Sequence, residues 1–520
     1  MKNGFFLLAL AALVLQSCLT SQLVRELNTP GKYMAGSTQK FLKVHLKDGS
    51  LFIYNDWQFD TITEAIRGSG SLYNYKRDRI VNKEKSGSIS DYSAYTICRD
   101  DIALVETNRL TGHKGNIAGL TIIGVPLSVL GLYCLTNPKA CFGSCPTFYT
   151  YNKGKWKLAA EGFSSSILPA FEKKDIDMLY QTTSVSTNLP VKLTNEALET
   201  HVIRYANLLA FPHREGSQIF STQKGEFYSV NNMQPIKSLA NEKEGFIEKT
   251  ATPDNDEWYS LADSKNLAKK EEIILSFNNK NKDTMGLIIR TRQTLLTTYM
   301  FYQGLAFAGN FAGRFAAGIE NGDKRIKNRV EKLWDKLGGI EIYLKTEKGK
   351  WEKIETIEEM GPIASDFHLV KLPENIPARA TFKLKMTQGL WRIDHMALGT
   401  IGEKASPLVI QPSRISKNGT EDQEALALLS DTSQYLITYP GDSYLIDYRL
   451  PENKDYEFFL QSKGYYLEWM RDEWLAEQDL KKARLMFAFP GLFMRKTAKE
   501  YKKSEAEMEE QFWGSRYVQN

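Results

Sequence analysis

Apolar and polar positions alternate in short runs along most of this chain, the period of half-buried strands rather than of helices. Phe41, Val44 and Leu46 precede Lys47-Asp48-Gly49-Ser50, and Leu51-Phe52-Ile53-Tyr54 follow it, which predicts a hairpin on an Asp-Gly turn. A second turn is expected at Gly68-Ser69-Gly70, and 102–106 supplies a closing strand. Strand-like runs return at 147–151, 156–160, 190–193, 200–211, 218–222 and 226–230. They resume at 273–277, 285–290, 340–346, 351–355, 367–372, 380–386 and 391–398. Lys-Gly-Lys-Trp stands at 153–156 and again at 348–351, each time between two such runs, and so predicts one hairpin type used twice. Pro440-Gly441-Asp442 lies between strand-like 435–439 and 444–450 and predicts another.

The period changes in two places. Within 295–337, Ile326, Val330, Leu333 and Leu337 recur at helical spacing, after a small-residue stretch with Gly304, Gly309, Gly313 and Gly318. Gly309-x3-Gly313 would let a partner backbone approach closely. Residues 465–475 predict an aromatic helix with Tyr466, Trp469, Met470 and Trp474 on one face, broken at Pro490-Gly491 and followed by a charged helix over 495–513. The fold expected is therefore mostly β with helical insertions. Its parts are a tether (18–37), a small N-terminal β module (38–110) and an apolar connector (111–140). Then come a first β-sandwich-like unit (141–260), a second (271–400) with a helical insertion at 295–337, and a mixed α/β C-terminal region (401–520).

Residues 117–136 carry no charge and are long enough to span a bilayer. Gly119, Gly124, Pro126 and Gly131 weaken them as a helix in water. Three readings stay open: a buried or interdomain helix, insertion at a membrane surface, and a span.

The N-terminus fixes the compartment. Lys2, eleven apolar residues from Phe5 to Leu15, and a small residue before Cys18 make an export signal. Leu15-Gln16-Ser17-Cys18 resembles a bacterial lipoprotein signal, which implies removal of 1–17 and a lipid on Cys18. Leu19 after that cysteine resembles outer-membrane sorting, and Thr20-Ser21-Gln22 lacks the acidic cluster of surface display. The expected location is the periplasmic face of the outer membrane, with the membrane as partner through the lipid.

With 520 residues the chain exceeds one core, and 42% hydrophobic with 25% charged residues is ordinary globular composition. Sixty-seven basic against 62 acidic residues leave +5, too near balance for a nucleic-acid partner. Besides Cys18, the cysteines are Cys98, Cys134, Cys141 and Cys145, an even number in a compartment that permits disulfides. Cys134 with Cys141 is the favoured pairing. Free thiols and a zinc site are the competing readings, and the spacing is not that of a zinc ribbon.

Catalytic, metal and cofactor motifs are not found. Six histidines are scattered, and Gly162-Phe163-Ser164-Ser165-Ser166 lacks the second glycine of a nucleophile elbow. Glu199 and His201 share one side of a strand and could form a metal site with His213, while Asp175 and Asp177, two apart, could serve calcium but read rather as a polar loop. Glu106, Asp394 and Glu468 are acids near aromatic residues, unpaired in sequence. Trp469, Trp474, Tyr466, Gly309 and Gly313 are the candidates for contact with a partner, including an outer-membrane protein. Cys141-Phe142-Gly143-Ser144-Cys145-Pro146, with Ala160-Glu161-Gly162-Phe163-Ser164, Glu199-Thr200-His201 and Gly389-Leu390-Trp391-Arg392-Ile393-Asp394, resembles a family of uncharacterised bacterial envelope proteins. That resemblance brings no activity. The function expected is a non-enzymatic binding or scaffold subunit of the envelope; the alternative is a carbohydrate-active or peptide-processing hydrolase.

Overall fold

The computed structural model describes residues 22–28, 42–46, 50–73, 79–80, 93–111, 145–152, 154–182, 187–197, 199–241, 243–279, 284–320, 322–358, 360–374, 376–439, 441–468 and 477–515. The chain is mostly β, with several sheets and seven helices among the described residues. It divides into two compact units, one of 1–132, 305–321 and 469–480, the other of 133–304, 322–468 and 481–520.

Among the described residues the first unit holds seven strands: β1 (Gln22–Asn28), β2 (Leu42–Leu46), β3 (Leu51–Asp60), β4 (Ala65–Tyr73), β5 (Arg79–Ile80), β6 (Ser93–Cys98) and β7 (Ile102–Thr111). They run in the order β1-β7-β2-β3-β4-β5, with β6 also on β4. The Asp-Gly hairpin forms as expected, His45 opposite Leu51. Two expectations fail here. Residues 22–28, assigned to a tether, pair along their whole length with β7, because Leu23, Val24 and Leu27 give enough apolar content for an edge strand. Gly68 and Gly70 are not a turn but the middle of β4. A Cβ on either would lie 2.1 Å from a carbonyl of β3, so these glycines let two backbones close up. The turn falls instead at 61–64, where Asp60 accepts the N–H groups of Ile62 and Thr63. Leu42, Val44, Phe52, Tyr54, Ile66 and Val105 form the core of this sheet. Lys43 is fully buried and paired with Glu106 at 3.5 Å and with Glu320, which a helical segment of the same unit supplies.

The second unit begins with β8 (Thr147–Asn152), β9 (Lys155–Glu161), β10 (Lys173–Met178), β11 (Asn188–Thr194) and the long β12 (Glu199–Pro212). There follow β13 (Ser217–Ser221), β14 (Phe227–Pro235), β15 (Ser238–Leu239), α1 (Phe246–Lys249), β16 (Trp258–Tyr259), β17 (Lys270–Asn278) and β18 (Met285–Gln293). The helical insertion falls where the sequence places it: α2 (Leu296–Ala308), α3 (Ala312–Glu320) and α4 (Lys324–Leu337). Of these, the end of α2 and all of α3 belong to the first unit. Asp323 caps α4 by accepting from the N–H groups of Arg325 and Ile326. Next are β19 (Ile340–Lys345), β20 (Trp351–Ile357), β21 (Asp366–Lys371), β22 (Arg379–Thr387) and β23 (Trp391–Ala405). The chain ends with β24 (Leu408–Ile410), β25 (Arg414–Lys417), β26 (Thr420–Glu421), α5 (Gln423–Ser430), β27 (Leu436–Thr438), β28 (Ser443–Arg449), β29 (Tyr456–Glu468), α6 (Leu480–Ala488) and α7 (Pro490–Ser515).

Sheet partnership does not follow chain order. One sheet runs β26-β25-β28-β11-β8-β9, and a second runs β10-β29-β12-β24 with β27 on β12. Strands from 408–468 thus complete sheets begun at 145–212, and 213–405 is nested between the two halves. Expected consecutive units at 141–260, 271–400 and 401–520 give way to this nesting, since long-range pairing leaves no local trace. The nested part makes β13-β14-β23-β18-β21, with β16 on β23, and β15-β17-β22-β19-β20.

The β12 sheet is a middle layer. Leu208 and Ala210 join one core with Phe148, Val191, Ile446 and Tyr448, while Leu209 and Phe211 join another with Phe220, Val230, Ile288 and Phe367. Alternate residues of one strand therefore feed two cores. The same burial explains two further corrections. Residues 465–468, expected to open an aromatic helix, end β29, with Tyr465 opposite Val202 and Tyr466 opposite His201. Pro440-Gly441-Asp442 is no hairpin, because β27 pairs with β12 and β28 with β11, so the chain changes sheets at that point. Both Lys-Gly-Lys-Trp hairpins do form, β8 with β9 and β19 with β20. Gly154 and Gly349 sit at φ +83° and +79° in open space, so each is used for its left-handed backbone.

The C-terminal helix is bound to the unit by buried charge. Glu509 on α7 accepts from Arg392 at 2.6 Å and from the N–H of Leu295 at 2.6 Å, and Glu505 accepts from the N–H of Ala262. Arg292 makes a two-pronged contact with Glu257 at 2.8 and 2.7 Å. Among the described residues no helix is long and apolar enough to cross a membrane, and 117–136 lies outside them.

Candidate functional site

Within the second unit a cavity of about 310 Å³ opens between β10, the β13–β14 turn, β21 and the segment that leads into β21. Such a volume is at the lower end of the range of small-ligand pockets, roughly 300–1,000 Å³. Lys173, Asp175 and Asp177 alternate on β10, so the two aspartates face the same way, and both reach the cavity. Asp366 and His368 repeat this on β21, and Glu161 comes from the end of β9. The reading of Asp175 and Asp177 as a polar loop is thus corrected: they stand on a strand of a middle layer.

Each acid is anchored differently. Asp175 accepts from the N–H of Phe163 at 2.8 Å and from that of Ile176 at 3.1 Å. Asp366 accepts from the N–H of Met178 at 2.9 Å, and Glu161 uses Oε2 for the N–H groups of Ile363 (2.6 Å) and Ala364 (3.3 Å). Among the described residues nothing donates a hydrogen bond to the buried Asp177 Oδ2, and beside the Glu161 carboxyl the further donor is the weak Cys145 thiol. Burial pushes Glu161 up to about 7 against the pull of those N–H groups. Asp366 is likewise raised to about 7, first by burial. Asp177 is raised well above the usual carboxylate range by burial, then by Asp175, Asp366 and Glu161. His368 is pushed down to about 4 by burial. Lys173, Lys174 and Lys224 line the same cavity but are exposed, as is Glu358, so the positive groups sit at the rim with one acid while Glu161, Asp177 and Asp366 are buried in the wall.

A smaller cavity of about 60 Å³ shares Glu161, Ser164, Met360 and Gly361 with the first. Cys145, Glu199, Tyr302, Trp334, Tyr466 and Glu468 line it. Burial holds the Cys145 thiol well above its ordinary value, and Glu161 and Glu199 add to this, which favours the protonated thiol over the thiolate.

The residues singled out in the sequence fare unequally. Cys18, Cys134, Cys141, Trp469 and Trp474 lie outside the described residues. Cys98 is exposed and Cys145 buried, both as free thiols. Tyr466 is buried on β29 and donates to the carbonyl of Ser164 at 3.0 Å. Gly309 begins a 3-10 turn at φ +49°, with a Cβ there falling 2.6 Å from Gln478 Oε1, so its small size serves packing within its own unit. Gly313 is buried in α3. Glu199 and His201 do meet, at 2.8 Å, but His213 lies at the far end of β12, roughly 40 Å along a strand of that length, beside Glu457. Asp394 pairs with Arg290, and Glu106 belongs to the first unit. Among the described residues no three acidic, histidine or cysteine side chains are set to share a metal ion. Glu161 and Asp366 were not legible as partners; the acid-x-acid spacing of Asp175 and Asp177 was the one local signal.

Compared with protein-family models and with curated proteins, the chain matches none.

Proposed function

We propose that this is a cell-envelope binding protein, lipid-anchored through Cys18 at the outer membrane, whose second unit holds a small organic cation in the acid-lined cavity. One observation carries the reading. Asp177 and Glu161 are more than nine-tenths buried on the same space, and among the described residues nothing donates to the buried Oδ2 of Asp177, which lines it. Buried carboxyls are costly unless paired. Three of them, Glu161, Asp177 and Asp366, share this cavity with the half-buried Asp175, and its three lysines stay at the exposed rim, so an incoming ammonium would supply the missing charge. Rim lysines suit a ligand that also carries an anionic group. The envelope location rests on the N-terminal sequence, and the resemblance to uncharacterised envelope proteins agrees with it. A protein partner at the outer membrane is compatible with this reading and is not required by it.

A hydrolase is the second reading, favoured by two carboxyls near 7 on one cavity, a pairing that acid–base chemistry uses. Its described lining contains no Tyr, Phe or Trp on which a sugar could stack, which weighs against it.

Thermal-shift titration tests the proposal with 1,4-diaminobutane, a dipeptide and a neutral disaccharide. Stabilisation by an ammonium-bearing probe that disappears in Asp177→Asn is the expected result. Stabilisation by the disaccharide alone, or no response to any probe, would reject it.

A further inference from the structure

We propose that the corner between α6 and α7 docks on the surface of an anionic phospholipid bilayer. The chain as a whole is nearly balanced, with 67 basic and 62 acidic residues. Residues 481–499 are not: they contain Lys481, Lys482, Arg484, Arg495, Lys496 and Lys499 and no acid. All six cations are exposed. Glu477 and Asp479 precede this stretch and the acids of α7 begin only at Glu500, so the acid-free stretch coincides with the corner.

Between the two basic clusters two apolar side chains face solvent. Phe489 is 59% exposed and Leu492 39% exposed. They do not belong to a loose loop. Phe489 N–H donates to the Leu485 carbonyl at 2.9 Å, and the Phe489 carbonyl accepts from Leu492 at 3.0 Å and Phe493 at 3.1 Å. Ala483, Met486, Pro490, Phe493, Met494 and Ala498 are buried, which fixes the corner to its unit while its outer surface stays open.

An exposed aromatic and aliphatic pair flanked along the chain by exposed Lys and Arg is the composition of interfacial anchors. The apolar groups enter the headgroup boundary and the cations meet anionic lipid. Two apolar side chains are too few for the core of a stable protein interface, which buries some 800 Å² on each partner. Nucleic acid would make use of the charge but not of Phe489. The surface thus fits lipid, and it does so whether or not Cys18 is lipidated.

Vesicle flotation of the full chain carrying Cys18→Ala separates this contact from the anchor. At low salt the protein should float with phosphatidylcholine vesicles that contain phosphatidylglycerol, and not with phosphatidylcholine alone or at high salt. Phe489→Ser with Leu492→Ser should weaken flotation by about tenfold or more, with an unchanged thermal midpoint because both side chains are exposed. Phe489→Trp should retain binding, and the emission it adds should shift to the blue on anionic vesicles. Equal flotation on both vesicle types, flotation unaffected by the double serine variant, or unshifted emission from the Phe489→Trp variant would each overturn the proposal. So would capture by soluble polyglutamate that is as strong as capture by vesicles and indifferent to Phe489, because an acidic protein would then be the occupant.

Discussion

Gly361 lies so close to the Glu161 carboxyl that a Cβ on it would stand 1.9 Å from Oε1. The glycine is therefore what allows Glu161 to press against the backbone of the 361–364 segment and collect two N–H groups. Gly361→Ala should push the carboxyl out of that position and destabilise the second unit by about 1–3 kcal/mol, the usual cost of overpacking. Urea denaturation measures it. The same variant should weaken any ammonium-dependent thermal shift.

Glu161 and Asp366 titrate near 7 when folded, above the roughly 4 of an acid in an unfolded chain. Between those values the folded protein keeps protons that the unfolded chain has released. Their contribution therefore favours folding less as pH rises from about 4 to about 7, by at most ~1.4 kcal/mol per pH unit for each group. His368, held near 4 when folded, acts in the opposite sense over the same range. The test is thus a difference. Asp366→Asn, which can still accept from Met178, should gain stability relative to wild type as pH rises through that range. A difference independent of pH would contradict the assignment.

Glu509→Ala would leave Arg392 buried without its closest carboxylate and Leu295 N–H without its acceptor. Removal of one partner of a buried pair costs about 3–5 kcal/mol. We expect a loss of that size in chemical denaturation and earlier release of the C-terminal helix in hydrogen exchange. Glu509→Gln, which still accepts from Leu295, should lose less.

Cys18→Ala should move the protein from membranes into the soluble fraction when cells are broken and washed in high salt. At low salt the basic corner of α6 and α7 would leave a residual, salt-sensitive association. Retention that is unchanged in high salt would refute lipid anchoring and return attention to 117–136.

Local chemistry was legible and partnership was not. Asp48-Gly49 and the two Lys-Gly-Lys-Trp turns carry their geometry in a few adjacent residues, and their hairpins form where the sequence puts them. Tyr465 and Tyr466 misled because β29 belongs to a layer buried on both faces. Alternation disappears in such a strand, and an unbroken apolar run suits a helix equally well. The acid cavity was illegible for another reason. Asp177 and Asp366 stand 189 positions apart and meet only because 213–405 is nested inside the strands that surround it.

That nesting has a consequence in time. β12 is complete early in synthesis, yet the strand that covers most of its length, β29, is made only after the entire nested part. Until then Leu208 and Ala210 on one side and Leu209 and Phe211 on the other have no finished core to enter. A chain made from its N-terminus would present this middle strand waiting and adhesive, and it could close only when the last sheet residues had been made. Delay in the C-terminal third, rather than weakness in any one strand, is therefore where maturation of this protein is most exposed to aggregation and proteolysis.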